Sequence, residues 1–151
     1  MPIRLATDAD IPSMHRVRLA VTENRLSDPS KITLDDYVRA ISELGCGWVA
    51  EASGQVAGFA VGYRSGCIWA LFVHPEHQGR GHGKALHGAM ISWLWAHGLR
   101  RLWLTTDRGT RAETFYRSLG WQPCGIVSGG ELRLELTPEQ LVPGATASAR
   151  A

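Results

Sequence analysis

Hydrophobic and polar positions repeat with two different periods along the chain, and each change of period marks a border between strand and helix. Residues 3–7 alternate and predict a short strand, after which apolar side chains recur at helical spacing from Ile11 to about residue 23. A second helix is predicted from Thr33 to Gly45, with carboxylates in its first turn where they suit the helix dipole. The intervening residues 24–30 are predicted to form a loop.

Strands dominate the middle of the chain. Residues 48–51 and 55–63 flank Ser53-Gly54, which is a two-residue hairpin signal. Residues 67–73 are continuously apolar, which suits a strand in the centre of a sheet.

The second half of the chain alternates helical and extended patterns. A helix is predicted from about residue 81 to Gly98, which ends it. The further elements are a strand over 101–105, a helix over 110–119, and strands over 121–127 and 131–137. Helices and strands in this order predict an α/β domain with a mixed sheet.

The composition is that of an ordinary globular protein. The 151 residues are 44% hydrophobic and 20% charged, which argues against disordered and low-complexity classes. The longest apolar run is far shorter than the roughly 20 residues that span a bilayer, and the N-terminus lacks the apolar stretch of a signal peptide. We therefore expect a cytoplasmic protein that has no membrane partner. Cys46, Cys67 and Cys124 lie too far apart to suggest a disulfide framework.

The charge is unevenly distributed although the net charge is only +2. Residues 1–52 hold six basic and eight acidic side chains, whereas residues 74–111 hold six basic, two acidic and five of the six histidines. A local positive field of this kind suggests a small anionic ligand. Nucleic acid would require a longer basic stripe with aromatic platforms, so we expect no nucleic-acid partner.

The most informative segment joins the apolar strand 67–73 to the following helix, and it reads Gln78-Gly79-Arg80-Gly81-His82-Gly83-Lys84. A helix N-terminus exposes unpaired N–H groups, and glycines let a phosphate approach the backbone closely. Arg80 and Lys84 add full positive charges. The segment therefore predicts a diphosphate site, with a spacing that differs from both the Walker loop and the GxGxxG fingerprint.

Here the sequence resembles the GNAT superfamily of N-acetyltransferases, whose acetyl-CoA motif is Gln/Arg-x-x-Gly-x-Gly/Ala. Residues 111–121 are similar to a second family segment, Ala-x-x-hydrophobic-Tyr-x-x-x-Gly-Phe/Trp, and the order of elements agrees over residues 2–136. The resemblance implies a single-domain GNAT-like α/β fold over residues 1–137. That fold has a mixed, mostly antiparallel sheet of about seven strands, flanked by about four helices. It also implies acetyl-CoA as co-substrate, and residues 138–151 are expected to form a flexible tail.

The resemblance also implies roles for individual residues. The pantetheine arm would pair with the backbone of Leu71 and Val73, the Val73 amide would stabilise the oxyanion, and Tyr116 would give a proton to the leaving thiolate. The predicted cofactor-binding set is Leu71, Phe72, Val73, Gln78, Gly79, Arg80, Gly81, His82, Gly83 and Lys84.

Several points stay open at this stage. Gly109 stands where many family members have an Asn that contacts the pantetheine arm. The candidates for a general base are Glu23, Asp35, Glu51 and His74, or a water chain. His74, His77 and His82 are not expected to bind a metal, because no carboxylate-rich partner set accompanies them.

The first two helices and the loop 24–30 form the acceptor site in the resembled family. Here these elements carry both basic and acidic side chains, which do not identify a substrate. They are Arg18, Glu23, Arg25, Asp28 and Asp35. Glu23, Trp48 and Trp69 are the candidate substrate-binding residues. We expect an N-acetyltransferase that acts on the primary amine of a small molecule or peptide. The alternative is a non-catalytic CoA-binding sensor or interaction module. The sequence is compatible with a homodimer but does not decide the oligomeric state.

Overall fold

A computed structural model describes residues 2–24 and 28–143 of the chain. The elements in these ranges are β1 (Ile3–Leu5), α1 (Ile11–Ala20), α2 (Leu34–Arg39), β2 (Gly45–Ala52), β3 (Gln55–Tyr63), β4 (Ile68–Val73), α3 (His82–Ala96), β5 (Leu102–Thr106), α4 (Arg111–Ser118), β6 (Gln122–Ile126) and β7 (Leu132–Leu136). The predicted mixed α/β architecture is confirmed.

The strands form two antiparallel sheets, with the order β1-β2-β3-β4 in one and β5-β7-β6 in the other. The sheets meet at an isolated parallel bridge between Cys67 and Trp103, where the Trp103 N–H donates to the Gly66 carbonyl at 2.9 Å. Beyond this bridge β4 and β5 form no further ladder. The two strands therefore diverge toward their C-terminal ends and leave a gap.

The four-stranded sheet is covered on both faces, and each face has its own core. On one face the apolar side of α3, including Leu86, Met90 and Leu94, packs against the sheet and against α4. On the other face Met14 and Val17 of α1 pack with Tyr37 of α2 and with β3. Burial on both faces explains why β3 and β4 are almost continuously apolar.

The first helix is shorter than predicted, whereas the second reaches its predicted end but is α-helical only in its first part. Helix α1 ends at Ala20 because Val21 is extended, and Asn24 then takes a left-handed conformation with φ 55°. Helix α2 begins in a capping box, in which Thr33 and Asp36 each accept from the backbone N–H of the other. It passes after Arg39 into a π-helical turn, so that β2 begins at Gly45 rather than at Trp48.

The start of the predicted tail is attached to the end of α4. The Val142 N–H donates to the Leu119 carbonyl at 3.0 Å, and Leu141 packs on the α3 core. Residues 144–151 lie outside the described ranges. No helix in residues 2–24 and 28–143 is both long and apolar enough to cross a bilayer.

Candidate active site

A cavity of about 710 Å³ occupies the gap between β4 and β5. It is lined by β4, by the end of β5 and by the N-terminal turns of α3 and α4. Arg18 of α1 and residues 21–24 close it from the other face of the sheet. We call the part formed by residues 78–84 the glycine-loop side, and the part formed by Arg18, residues 21–24 and Trp69 the α1 side.

The open edge of β4 presents backbone groups that do not pair with β3 to this cavity. The His74 N–H donates to the Ala57 carbonyl at 2.7 Å, and Val73 lies opposite Gly58 in the same register. Hydrogen-bonded and non-hydrogen-bonded pairs alternate along an antiparallel ladder. Val73 and, two residues earlier, Leu71 therefore direct their N–H and C=O groups away from β3 and into the gap.

A β-bulge in β4 shapes the α1 side of the cavity. Val61 pairs with Ala70 but Gly62 pairs with Ile68, so Trp69 is the extra residue on β4. Its ring lines the cavity, stacks on Tyr63 at 6.0 Å between centroids and meets Tyr37 edge-on at 5.3 Å. The structure thus brings this predicted substrate-binding tryptophan to the cavity.

The glycine loop fits a diphosphate group. Gly79 and Gly81 have φ of +78° and +88°, and a Cβ at Gly79 would meet nothing within 4 Å, so the space above the loop is open. Gly81 is the N-cap of α3, whose first amides are the free donors of a 15-residue helix. A Cβ at Gly83 would only touch Phe115 and Val73 at 3.7–3.8 Å, which explains why an alanine is also compatible with this position.

Most of the predicted cofactor-binding residues line the cavity, namely Leu71, Phe72, Val73, Gln78, Gly79, Gly81, His82, Gly83 and Lys84. Arg80 is exposed on the loop and does not line it. His82 is buried, and this burial is the largest cause that lowers the pKa of its imidazole.

A chain of hydrogen bonds connects the glycine loop with α4 and with the segment that follows α1. The Gln78 side chain donates to the Val73 carbonyl at 3.4 Å and accepts from Arg111 Nη1 at 2.6 Å. The Arg111 backbone N–H donates in turn to both carboxylate oxygens of Glu23, at 2.9 and 3.2 Å. The N-terminus of α4 therefore holds Glu23 in place.

Tyr116 of α4 lines the cavity and is almost completely buried. Burial raises the pKa of its hydroxyl above the usual range, so the group keeps its proton at neutral pH. Its hydroxyl has no hydrogen-bond partner within residues 2–24 and 28–143. Beneath it lies His87 of α3, which accepts from Trp121 Nε1 at 3.0 Å and whose pKa burial lowers to about 4.

The α1 side is held together by one asparagine. Asn24 Nδ2 donates to Thr106 Oγ1 at 3.1 Å, and Asn24 Oδ1 accepts from the Asp107 N–H at 2.8 Å. Its own carbonyl accepts from Arg18 Nη1 at 2.6 Å. Residues 21–24 thus bridge α1 and the end of β5 across the gap.

Other predicted site residues are not brought to the cavity. Trp48 is 6% exposed and packs edge-on against Trp93 in the α3 core, which corrects its assignment to the substrate pocket. Successive side chains of a strand point to opposite faces of the sheet. Trp48 of β2 lies on the α3 face, whereas Trp69 of β4 packs on the α1 face. Arg25 lies outside the described residues.

Of the four residues that the sequence suggested as a general base, the structure places only one at the cavity. Glu51 pairs with Arg4 at 2.6 Å, Asp35 is exposed in the first turn of α2, and the His74 ring accepts from the Glu76 N–H. None of these three lines the cavity, whereas Glu23 does. In the described part of the chain no His, Cys, Asp and Glu side chains form a group that could hold a metal.

Sequence reasoning missed two cavity-lining carboxylates, Asp107 and Glu131. Neither side chain forms a hydrogen bond or ion pair with the described residues 2–24 and 28–143. Asp107 directly follows β5, and Glu131 precedes Leu132, which pairs with Thr106. Both residues reach the cavity through the pairing of β5 with β7, so no local sequence signal identifies them.

Gly109 precedes α4 by two residues, and its N–H donates to Glu113 Oε1 at 2.9 Å. It has a φ of +74°, and a Cβ there would meet nothing within 4 Å. An Asn side chain therefore has room at this position but would need a left-handed backbone.

Comparison with known proteins agrees with this geometry. Residues 11–121 match the model of the acetyltransferase (GNAT) family. Ribosomal-protein-alanine N-acetyltransferase from Brucella melitensis is similar at 23% identity with a TM-score of 0.69, over 91% of this chain and 99% of that chain.

Two further similar structures contain the predicted co-substrate or its CoA form. YncA from Salmonella typhimurium, solved with acetyl-CoA, has 20% identity and a TM-score of 0.72 over 91% of this chain and 93% of that chain. PaiA N-acetyltransferase from Thermoplasma acidophilum, solved with coenzyme A, has 17% identity and a TM-score of 0.73 over 91% of this chain and 99% of that chain. The structures share the fold, the family match spans most of the sequence, and the chain therefore belongs to the GNAT family of acetyltransferases.

Proposed function

We propose that this protein transfers the acetyl group of acetyl-CoA to the primary amine of a small molecule or peptide by direct attack of the amine. The observation that carries the proposal is the gap between β4 and β5, which has a glycine loop at the start of α3 and a protonated tyrosine in its wall. One cavity thus combines a seat for phosphates, an open strand edge and an acid.

The chain binds the co-substrate mainly through its backbone in this proposal. The pantetheine arm adds to the open edge of β4 and pairs with Leu71 and Val73 in the manner of an extra strand. The diphosphate lies on the amides of residues 79–83, and Lys84 adds a full positive charge beside them. Gln78 releases the Val73 carbonyl as the arm pairs, because that bond is already long at 3.4 Å.

The reaction needs a base because an alkyl amine with a pKa near 10.4 is free base in only about one molecule in a thousand at neutral pH. Asp107 and Glu131 are the cavity carboxylates available for this proton, since Glu23 is held by the Arg111 backbone N–H. The Val73 N–H donates to the oxyanion that forms on the thioester carbonyl. Tyr116 donates its proton to the leaving thiolate.

The non-catalytic CoA-binding module is the second candidate. Two observations favour it, namely Gly109 in place of the common asparagine and the engagement of Glu23 by Arg111. Such a module would bind CoA through the glycine loop and the edge of β4 but would not catalyse acetyl transfer.

The test is release of CoA thiol from acetyl-CoA in the presence of a pooled panel of primary amines, followed by the mass increase of one acetyl group on an amine. We expect thiol release that depends on both partners and falls strongly in Tyr116→Phe. Tight binding of acetyl-CoA with no acetylated amine in the panel would contradict the proposed enzyme and favour the binding module.

A further inference from the structure

Arg18 is a charged side chain of the cavity to which the proposed reaction gives no role. It lies on α1, lines the cavity, and its guanidinium carbon stands 4.1 Å from the centre of the Phe72 ring. Its Nη1 donates to the Asn24 carbonyl at 2.6 Å. Within residues 2–24 and 28–143 no carboxylate lies within ion-pair distance of this guanidinium.

Arg18 is half-buried and has no carboxylate within ion-pair distance among the described residues, whereas three arginines that are more exposed than Arg18 each pair with one. Arg4 pairs with Asp10 at 2.8 Å, Arg101 pairs with Glu135 at 2.6 Å, and Arg117 pairs with Glu113 at 3.0 Å. Burial is the largest cause that lowers the pKa of Arg18, and the charge of Asp107 only partly offsets it. A charge removed from water without an opposite charge costs free energy, which an anionic ligand in the cavity would recover.

The position of Arg18 separates this anion from the phosphates of the co-substrate. Phe72 packs in the α1 core, whereas its neighbours Leu71 and Val73 pack toward the α3 core. Arg18 therefore lies on the opposite face of β4 from the glycine loop and α3. It is nevertheless beside Phe72, one residue from the Val73 amide that the proposed reaction uses.

The shape of the free donors selects the kind of anion. A guanidinium has five N–H donors in one plane, and here the Phe72 ring covers a face while Asn24 takes one donor. The remaining donors lie in the plane of the group, where a flat carboxylate accepts two parallel hydrogen bonds.

We propose that Arg18 binds a carboxylate of the acceptor, so that the substrate class is an amino acid or short peptide whose carboxylate lies close to the amine that is acetylated. This inference rests on the proposed function. The carboxylates of Asp107 and Glu131 would then face the ammonium group while Arg18 holds the other charge. A zwitterionic acceptor matches a cavity wall that carries both signs of charge.

The kinetic test compares each of several amino acids with its own α-carboxamide, in the wild type and in Arg18→Gln. We expect amidation to lower wild-type kcat/KM by about 10- to 100-fold, mainly through KM, because a bidentate charged hydrogen bond is lost. Arg18→Gln should acetylate the acid and the amide equally well, and Arg18→Lys should restore part of the preference. The dissociation constant of acetyl-CoA should change less than about twofold in both variants.

The matched control is Arg16→Gln. Arg16 lies on the same helix, is exposed, donates to the Val56 carbonyl at 3.0 Å and does not line the cavity. Arg16→Gln should leave the preference for acids over amides unchanged. Equal kcat/KM for acids and amides in the wild type would overturn the role of Arg18 while leaving the acetyltransferase in place.

A binding measurement decides the inference even without turnover. Millimolar amino acid, added in the presence of CoA, should raise the thermal unfolding midpoint of the wild type. It should leave the midpoint of Arg18→Gln unchanged. If no amine is acetylated, the proposed function fails by itself, and an equal shift in wild type and variant would overturn the present inference independently.

Discussion

The two sides of the cavity are built from different parts of the chain. The glycine-loop side comes from one continuous segment, residues 78–84, and offers mostly backbone N–H groups at the start of α3. The α1 side is assembled from α1, residues 21–24 and β4, and it offers side chains such as Arg18, Glu23 and Trp69. A local segment can therefore hold the part of the substrate that all family members share, while distant segments vary the rest.

The two sides also differ in how they are fixed. Left-handed glycines give the loop its shape. On the α1 side a few hydrogen bonds fix the geometry, above all those of Asn24 to Thr106 and Asp107. We therefore expect changes in the loop to abolish co-substrate binding and changes on the α1 side to alter acceptor use with co-substrate binding retained.

The largest effect is expected for Gly81→Glu. A carboxylate at the N-cap of α3 would face the diphosphate, and like charges in contact cost several kcal/mol. We expect about 1,000-fold weaker acetyl-CoA binding, or about 4 kcal/mol, by calorimetric titration. The control is Gly98→Glu, which introduces the same residue at a similar φ of +87° where a Cβ meets nothing within 4 Å. Equal acetyl-CoA affinity in the two variants would disprove the loop as the phosphate site.

Tyr116→Phe tests the chemistry between the two sides. A missing general acid should lower kcat about 100-fold, while the KM of acetyl-CoA changes less than about twofold. Because burial raises the pKa of this hydroxyl, the wild type should show no loss of activity from its ionisation below pH 9. Tyr37→Phe is the control, since Tyr37 is equally buried but bonds His15 outside the cavity. An unchanged kcat in Tyr116→Phe would remove the tyrosine from the mechanism.

His87 makes the core beneath the glycine-loop side sensitive to acid. Burial lowers its pKa to about 4 from the ordinary 6.5, so between these values the unfolded chain binds a proton that the folded chain does not. His87 should therefore not reduce the free energy of unfolding above about pH 6.5. Between pH 7 and pH 5 its effect should lower that free energy by about 2 kcal/mol.

Urea unfolding at the two pH values measures this loss. His87→Gln should abolish most of the difference, whereas His97→Gln, on the exposed end of the same helix, should retain it. The same pH dependence in all three proteins would show that His87 does not cause it.

The smallest effect is expected for Asn24→Gly on the α1 side. Glycine accepts the φ of 55° without strain, so the variant removes the bonds to Thr106 and Asp107 and leaves the backbone free to keep its shape. We expect the KM of the acceptor to rise about tenfold, or about 1.4 kcal/mol, while acetyl-CoA binds as before. Ser53→Gly, at a φ of 53° in a distant turn, should have no kinetic effect. Weaker acetyl-CoA binding in Asn24→Gly would show that the two sides are not independent.

The difference between the two sides also explains what the sequence could predict. The loop and its helix are local, so the sequence alone predicted a phosphate-binding turn at the start of a helix, and Gly79, Gly81 and Gly83 of this turn line the cavity. The fold class followed from the alternation of periods, but the division into two sheets did not, because it depends on where β4 and β5 stop pairing.

Long-range pairing decided the residues that sequence reasoning placed wrongly or missed. Trp48 and Trp69 have similar surroundings in the sequence, yet strand register and a bulge put them on opposite faces of one sheet. Asp107 and Glu131 reach the cavity only because β7 pairs with β5 and the sheets diverge at that edge. No local pattern contains this information.

The most direct measurement is a crystal structure of the chain grown with coenzyme A. We expect phosphate oxygens within about 3.2 Å of the amide nitrogens of residues 79–83, and a pantetheine amide paired with the backbone of Leu71 or Val73. Coenzyme A bound elsewhere, or a gap between β4 and β5 that side chains keep filled in its presence, would contradict this expectation.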